Sequence, residues 1–122
     1  MTSRAANAYR KVYVESAQPA RILDELYAGL IADCRRGAEH IRAGDAAGKG
    51  VAISRALAIL GELQAALDHG AAPELCRNLA ALYVFVRGRL RRANLQMDAQ
   101  ALEDIERVIA PLREGFQRAA NF

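Results

Sequence analysis

From residue 19 to residue 116 apolar side chains return every three or four positions with polar residues between them, the spacing of helices that each bury one stripe. The first segment runs from about Pro19 to Ala43 on Leu23, Leu26, Tyr27, Leu30, Cys34 and Ile41. Pro19 suits a first helical position, where its missing N–H would have no partner anyway. "AGDAAGKG" at 43–50 interrupts the pattern, with Gly44 placed to cap the first helix and Asp45 to cap the next. A second helix continues to about Asp68 on Ile53, Ala56, Leu57, Leu60, Leu63 and Leu67, and "DHGAAP" at 68–73 turns the chain. The third begins near Pro73, uses Leu75, Leu79, Leu82, Tyr83, Val86 and Leu90, and is expected to end at Asn94. Asp98 can cap a fourth helix built on Leu102, Ile105, Ile109, Leu112 and Phe116. Its interior Pro111 removes one backbone hydrogen bond and crowds the Arg107 carbonyl, which predicts a bend around residues 107–111.

Helices of about 20 to 25 residues are roughly 30–37 Å long. Four of similar length, joined by short connections, predict an all-α fold: an antiparallel up-down-up-down four-helix bundle over residues 19–122, a single domain. Residues 1–18 lack the helical spacing and are expected to form an N-terminal arm or cap segment.

Composition agrees with helix: the chain of 122 residues is 52% hydrophobic, rich in Ala, Leu and Arg, with three prolines. Its net charge of +3 permits anionic partners without requiring them. No apolar run approaches membrane-spanning length, so no membrane insertion is expected. The N-terminus lacks the apolar segment of a signal peptide, so the expected location is cytoplasmic. Cys34 and Cys76 lie far apart with no CxxC and read as small buried apolar groups.

Catalytic patterns are missing from the sequence. His40 and His69 each stand alone, and neither follows a glutamate three residues back, as an inward-facing di-metal bundle requires. "AGKG" at 47–50 lacks the upstream glycine and the following Ser or Thr of a phosphate-binding loop. The acidic Glu103, Asp104 and Glu106 fall in the first turns of helix four, where the helix dipole favours them. Neither an enzyme nor a cofactor or metal site is expected.

The stretch "NLAALYVFVRGRLRRAN" at 78–94 poses the functional question. Nucleic-acid binders gather Lys and Arg on one face. On a helical wheel Arg87, Arg89, Arg91 and Arg92 scatter over more than half the circumference, which argues against nucleic acid. Arg89 falls near the buried stripe, where it needs a carboxylate or backbone partner. Val84 stands about 150° from the centre of that stripe on the 100°-per-residue wheel. Ala80, Ala81 and Gly88 share its outward side, with Arg77 and Arg91 as a polar rim. Small residues around an aliphatic one let another helix lie close. Ala101 and Val108 on helix four and Ile59 on helix two form a similar fringe. A bundle adaptor or regulator binding another protein would share these features, and a basic RNA-binding bundle is a third reading.

"NLAALY" followed by "RLRRAN" resembles the N-L-x-x-L-Y … R-R-L-x-x-A-N signature of the flagellar secretion chaperone family FliS. "YVESAQP" and "ILDELYAG" are similar to the family's extended arm and first helix, and "IRAGD…KG" to its first connection. "SRALAILGELQAALD" resembles the second helix, with Arg55, Ala56, Ile59 and Leu67-Asp68 in the expected places, and "DAQALEDIERVIAPLREGF" the fourth. The resemblance covers about residues 9–118 in order. It implies a four-helix bundle with an N-terminal cap and no catalytic activity. It also implies a client, the C-terminal segment of flagellin, which is kept from polymerising and presented to the flagellar export gate. Under it the partner-binding set is Tyr9 and Tyr13 on the arm, Ile59, Ala80, Ala81, Val84, Gly88, Arg91, Ala101 and Val108. A homodimer is left open.

The sequence departs from the family pattern at several of these positions. Where L-Y-D-Y-M is usual, Val84 replaces the Asp, Phe85 the second Tyr and Val86 the Met. Gly88 stands for one of the paired arginines, and the first-helix D-G becomes Ala28-Gly29. Phe116 takes the terminal Trp position. "NAY" at 7–9 resembles N-P-Y with Ala8 for the proline, although Tyr9 also aligns with the arm's second tyrosine.

Overall fold

In the computed structural model residues 20–120 are described. Four helices follow in order: α1 Ala20–Arg42, α2 Ala46–Ala65, α3 Pro73–Gln96 and α4 Ala99–Ala119. No strand occurs among the described residues. Tyr9 and Tyr13, and with them the expected arm, lie outside that range.

Cross-helix contacts set the packing order. Gly29 lies against Ile59 and Gly37 against Ala52, so α1 and α2 run antiparallel. Lys49 reaches the Asn94 carbonyl at 2.9 Å and Arg87 reaches Gln64 at 2.7 Å, which makes α2 and α3 antiparallel. Arg89 meets Asp104 and Arg92 meets Asp98 across α3 and α4. Asp24 near the start of α1 meets Arg113 late in α4, while Arg42 at the end of α1 meets Glu103 early in α4. Each helix therefore packs on two antiparallel neighbours, with α1 and α3 on one diagonal. This is the up-down-up-down bundle.

The core is the predicted stripe apart from Leu82, which is half-buried outside it. Leu23, Tyr27, Leu30, Leu60, Leu63, Tyr83, Val86, Leu90, Ile105, Ile109 and Phe116 are fully enclosed. Burying one such side chain is worth about 1.5–3 kcal/mol, whereas a surface ion pair contributes about 0–1 kcal/mol, so this stripe rather than the ion pairs holds the bundle. Leu26, Ile41, Leu57, Leu67, Leu75 and Leu112 are half-buried and pack against it. Glycine lets α1 come close: a Cβ at Gly37 would sit 2.8 Å from Leu102 Cδ1, and one at Gly29 would sit 3.0 Å from Ile59 Cδ1.

The ends follow their capping chemistry. Gly44 has φ +72° and closes α1. Asp45 accepts from the Gly48 N–H at 2.9 Å, and Asp98 from the Ala101 N–H at 3.3 Å. Two boundaries differ from expectation. The second helix stops at Ala65, with Ala66 as its cap, rather than near Asp68. The third passes Asn94 and ends at Gln96, because Met97 in the left-handed region (φ 52°) closes it. Helix α4 continues through Pro111, which lies on its exposed face.

Both cysteines are free and buried. Burial, reinforced by the negative charges of Asp33 and Glu106, pushes the Cys34 thiol up to about 12. Cys76 donates to the Asp68 carbonyl at 3.3 Å. Asp33 is the one buried charged residue among those described, 3% exposed, and is paired with Arg36 one turn on. The sequence pattern gave no sign of it.

Candidate functional site: the outer face of α3

Val84 is 65% exposed and Leu95 is 73% exposed, while Ala81, Gly88, Arg77 and Arg91 are exposed beside them. Residues 77, 81, 84, 88, 91 and 95 step by four and three alternately, which places them on one straight seam of the helix. At 1.5 Å per residue the seam is about 27 Å long. A Cβ at Gly88 would meet nothing within 4 Å, so the fold does not require glycine there. Glycine inside a helix costs about 0.5–1 kcal/mol relative to alanine. Its presence leaves the seam flat at its midpoint.

The flanks of the seam differ. Toward α4, Phe85 is partly exposed beneath the Arg89 guanidinium, 5.7 Å from the ring centroid. Arg89 in turn reaches Asp104 at 3.4 Å, the carboxylate partner its place near the core demanded. Toward α2, Ile53, Leu57 and Leu90 floor a cleft between α2 and α3, rimmed by Arg87, Arg91 and Asn94. Ala80 is half-buried on this side.

Not every residue expected on a partner surface lies here. Ala101 is 0% exposed: it sits one turn before Ile105 on the face of α4 turned into the bundle, and a sealed methyl group offers nothing to a partner. Ala101 therefore leaves the candidate set. Ile59 is half-buried and fills the space beside Gly29, and Val108 packs against the core from α4. Neither joins the α3 seam. Leu95 is the residue sequence reasoning missed. The same four-and-three step that links Arg77 to Arg91 lands on it, but ending the helix at Asn94 cut the pattern short.

The opposite side of the bundle is closed by charge. Asp24 accepts from Arg113 Nε and Nη2 at 2.9 and 3.1 Å and from Gln117 at 2.9 Å, tying α1 to α4. Arg35 and Glu106 form a second two-pronged pair at 2.9 and 2.5 Å, and Arg42 pairs with Glu103. The Arg35 hydrogen bond holds the Glu106 carboxyl below its ordinary range. Among the described residues no group of three or more His, Cys, Asp or Glu side chains could hold a metal ion. No described helix is long and apolar enough to cross a membrane.

The fold and this surface define a class: a small four-helix bundle with an apolar face left over outside its core. The chain belongs to the FliS family, since the family model described as "Flagellar protein FliS" matches residues 1–121. The flagellar secretion chaperone FliS of Salmonella typhimurium is 34% identical over 122 residues, covering 96% of this chain and 90% of that protein. The Escherichia coli protein of the same name is 29% identical over the same coverage. Flagellar secretion chaperone FliSB of Pseudomonas aeruginosa is 29% identical over 120 residues, 93% of each chain. The family is one of chaperones in flagellum assembly and not of enzymes.

Proposed function

We propose that this chain is an export chaperone for flagellin. It binds the C-terminal segment of flagellin in the cytoplasm, keeps that segment from premature polymerisation and hands it to the flagellar type III export gate. The observation that carries this reading is the exposed seam of α3, with Val84 and Leu95 as its aliphatic anchors and Gly88 between them. An isolated exposed apolar side chain needs no explanation, but a seam at helical register beside an apolar cleft is suited to an amphipathic helix. Ala80, Ala81 and Arg91 complete the contact surface on α3. Ile59 and Val108, at the bundle's half-buried edges, and Tyr9 and Tyr13 on the N-terminal segment are assigned to the same client.

The test is seeded polymerisation of purified flagellin from the same organism, followed by light scattering with and without one equivalent of this chain. Suppressed growth, with a one-to-one complex in analytical ultracentrifugation, is the expected result. Unchanged growth and no complex would discard the reading. Loss of the complex on removing the C-terminal segment from flagellin locates the binding there.

A further inference from the structure

We infer that the cleft between α2 and α3 selects a client segment carrying a carboxylate between aliphatic side chains, and that Arg91, with Arg87, is the group that reads it. This rests on the proposed client and names the chemistry of its contact.

The argument comes from how the arginines are satisfied. On α3, Arg89 and Arg92 are held by Asp104 and Asp98, and elsewhere Arg35, Arg42 and Arg113 are held by Glu106, Glu103 and Asp24. The two at the cleft have no carboxylate, as is also the case for Arg21, Arg55, Arg77 and Arg118 among the described residues, but unlike those four they rim an apolar cleft. Arg87 donates only to the neutral Gln64 amide oxygen, at 2.7 Å. Arg91 has no carboxylate partner among the described residues, and none of the residues lining the cleft is acidic. Their neighbours in the cleft wall are Ile53, Leu57 and Leu90.

Two uncompensated guanidiniums over an aliphatic floor are complementary to an apolar segment with an acidic residue. They would repel a second copy of the same surface. An Arg–carboxylate contact formed at the edge of an apolar cleft is shielded from water, and its hydrogen bonds are stronger and more directional than those of an open surface pair. The spacing also sets register. Arg91 lies one turn before Leu95 and two turns after Val84 on the seam, so a carboxylate fixed at Arg91 determines which client side chains meet the two anchors.

The experiment is calorimetric titration of the full chain with a synthetic peptide of the C-terminal segment of flagellin from the same organism. A second peptide has every Asp and Glu replaced by Asn and Gln. Arg91→Gln should weaken binding of the native peptide about tenfold and flatten its salt dependence, with little effect on the neutral peptide. Arg55→Gln, at an exposed arginine away from the cleft, should bind both peptides as wild type does. Equal losses for Arg91→Gln and Arg55→Gln would reduce the effect to general charge and overturn the inference. An unchanged Arg91→Gln with a weakened Val84→Asp would remove the carboxylate contact while leaving the chaperone reading in place. A wild-type chain that takes up neither peptide would end both.

Discussion

The hydroxyls of Tyr27 and Tyr83 meet at 2.6 Å inside the bundle, joining α1 to its diagonal partner α3, with both side chains fully buried. Two polar atoms at the bundle's interior are tolerated because one hydroxyl donates to the other, and the pair fixes the height of α3 against α1. Tyr83→Phe deletes one end of this bond without changing the packed ring. The expected cost is about 1 kcal/mol, read from the denaturation midpoint at an unchanged slope. A variant as stable as wild type would show that the bond contributes nothing net.

Val84→Asp separates the surface of α3 from the core. At 65% exposure the new carboxylate is solvated in the free chain, so the melting temperature should hardly move. Covered by a client helix, the same charge would be taken out of water against an apolar surface, which should weaken binding of the flagellin C-terminal peptide by roughly 1–3 kcal/mol. The L-Y-D-Y-M pattern that this stretch resembles has Asp at this position, so the loss is expected to be specific to this chain's own client. Equal affinities in paired titrations would take Val84 out of the contact surface, and a large fall in melting temperature would place it in the core.

Two glycines should respond to alanine with opposite signs. At Gly88 the added methyl group meets nothing, so Gly88→Ala should stabilise the bundle by about 0.5–1 kcal/mol. At Gly37 it would stand 2.8 Å from Leu102 Cδ1, a side chain enclosed in the packed interior with little room to move. Gly37→Ala should destabilise by about 1–3 kcal/mol. Chemical denaturation of both variants gives the comparison, and a shared sign would contradict the close approach of α1 to its neighbours.

Acid should loosen the helix ends and the α1–α4 seam. The Gly48 N–H, with the His40 charge, holds the Asp45 carboxyl below its ordinary value, and Arg92 with the Ala101 N–H does the same for Asp98. Arg35 lowers Glu106. A carboxyl whose value is depressed by folding adds stability above its unfolded value, and that stability is lost as pH falls through the folded one. The melting temperature should therefore decline from about pH 5 toward pH 3, the range of ordinary carboxylates and just below it. Asp45→Asn keeps a cap of similar strength at neutral pH and should make the decline shallower. Superimposable pH profiles would show that this cap carries none of it.

Pro111 leaves the Arg107 carbonyl without its helical donor, yet α4 continues to Ala119. Pro111→Ala restores that donor on an exposed position, and a higher melting temperature is expected, equivalent to about 1–3 kcal/mol. No change would mean that the chain already absorbs the proline without cost.

The sequence by itself determined where the helices lie, their main buried stripe and three of their caps. A stripe repeating at 3.6 residues and a Gly or Asp at a helix end act within a few residues, so Leu23, Tyr83 and Ile105 are legible without their neighbours. The tertiary structure decided which helix faces which, and that assigned the edge positions. Ile59 looks exposed on a wheel until Gly29 of α1 brings a second helix against it, and Ala101 proves to be part of the enclosed core. The arginines divide in the same way. Arg89 needed a carboxylate by its position alone, but that it finds Asp104, while Arg87 finds a neutral Gln64, depends on the faces α4 and α2 turn toward α3. Such contacts join residues distant in the chain, 15 positions apart for Arg89–Asp104 and 71 for Arg35–Glu106, and the periodicity of one helix carries no information about the side chains of another.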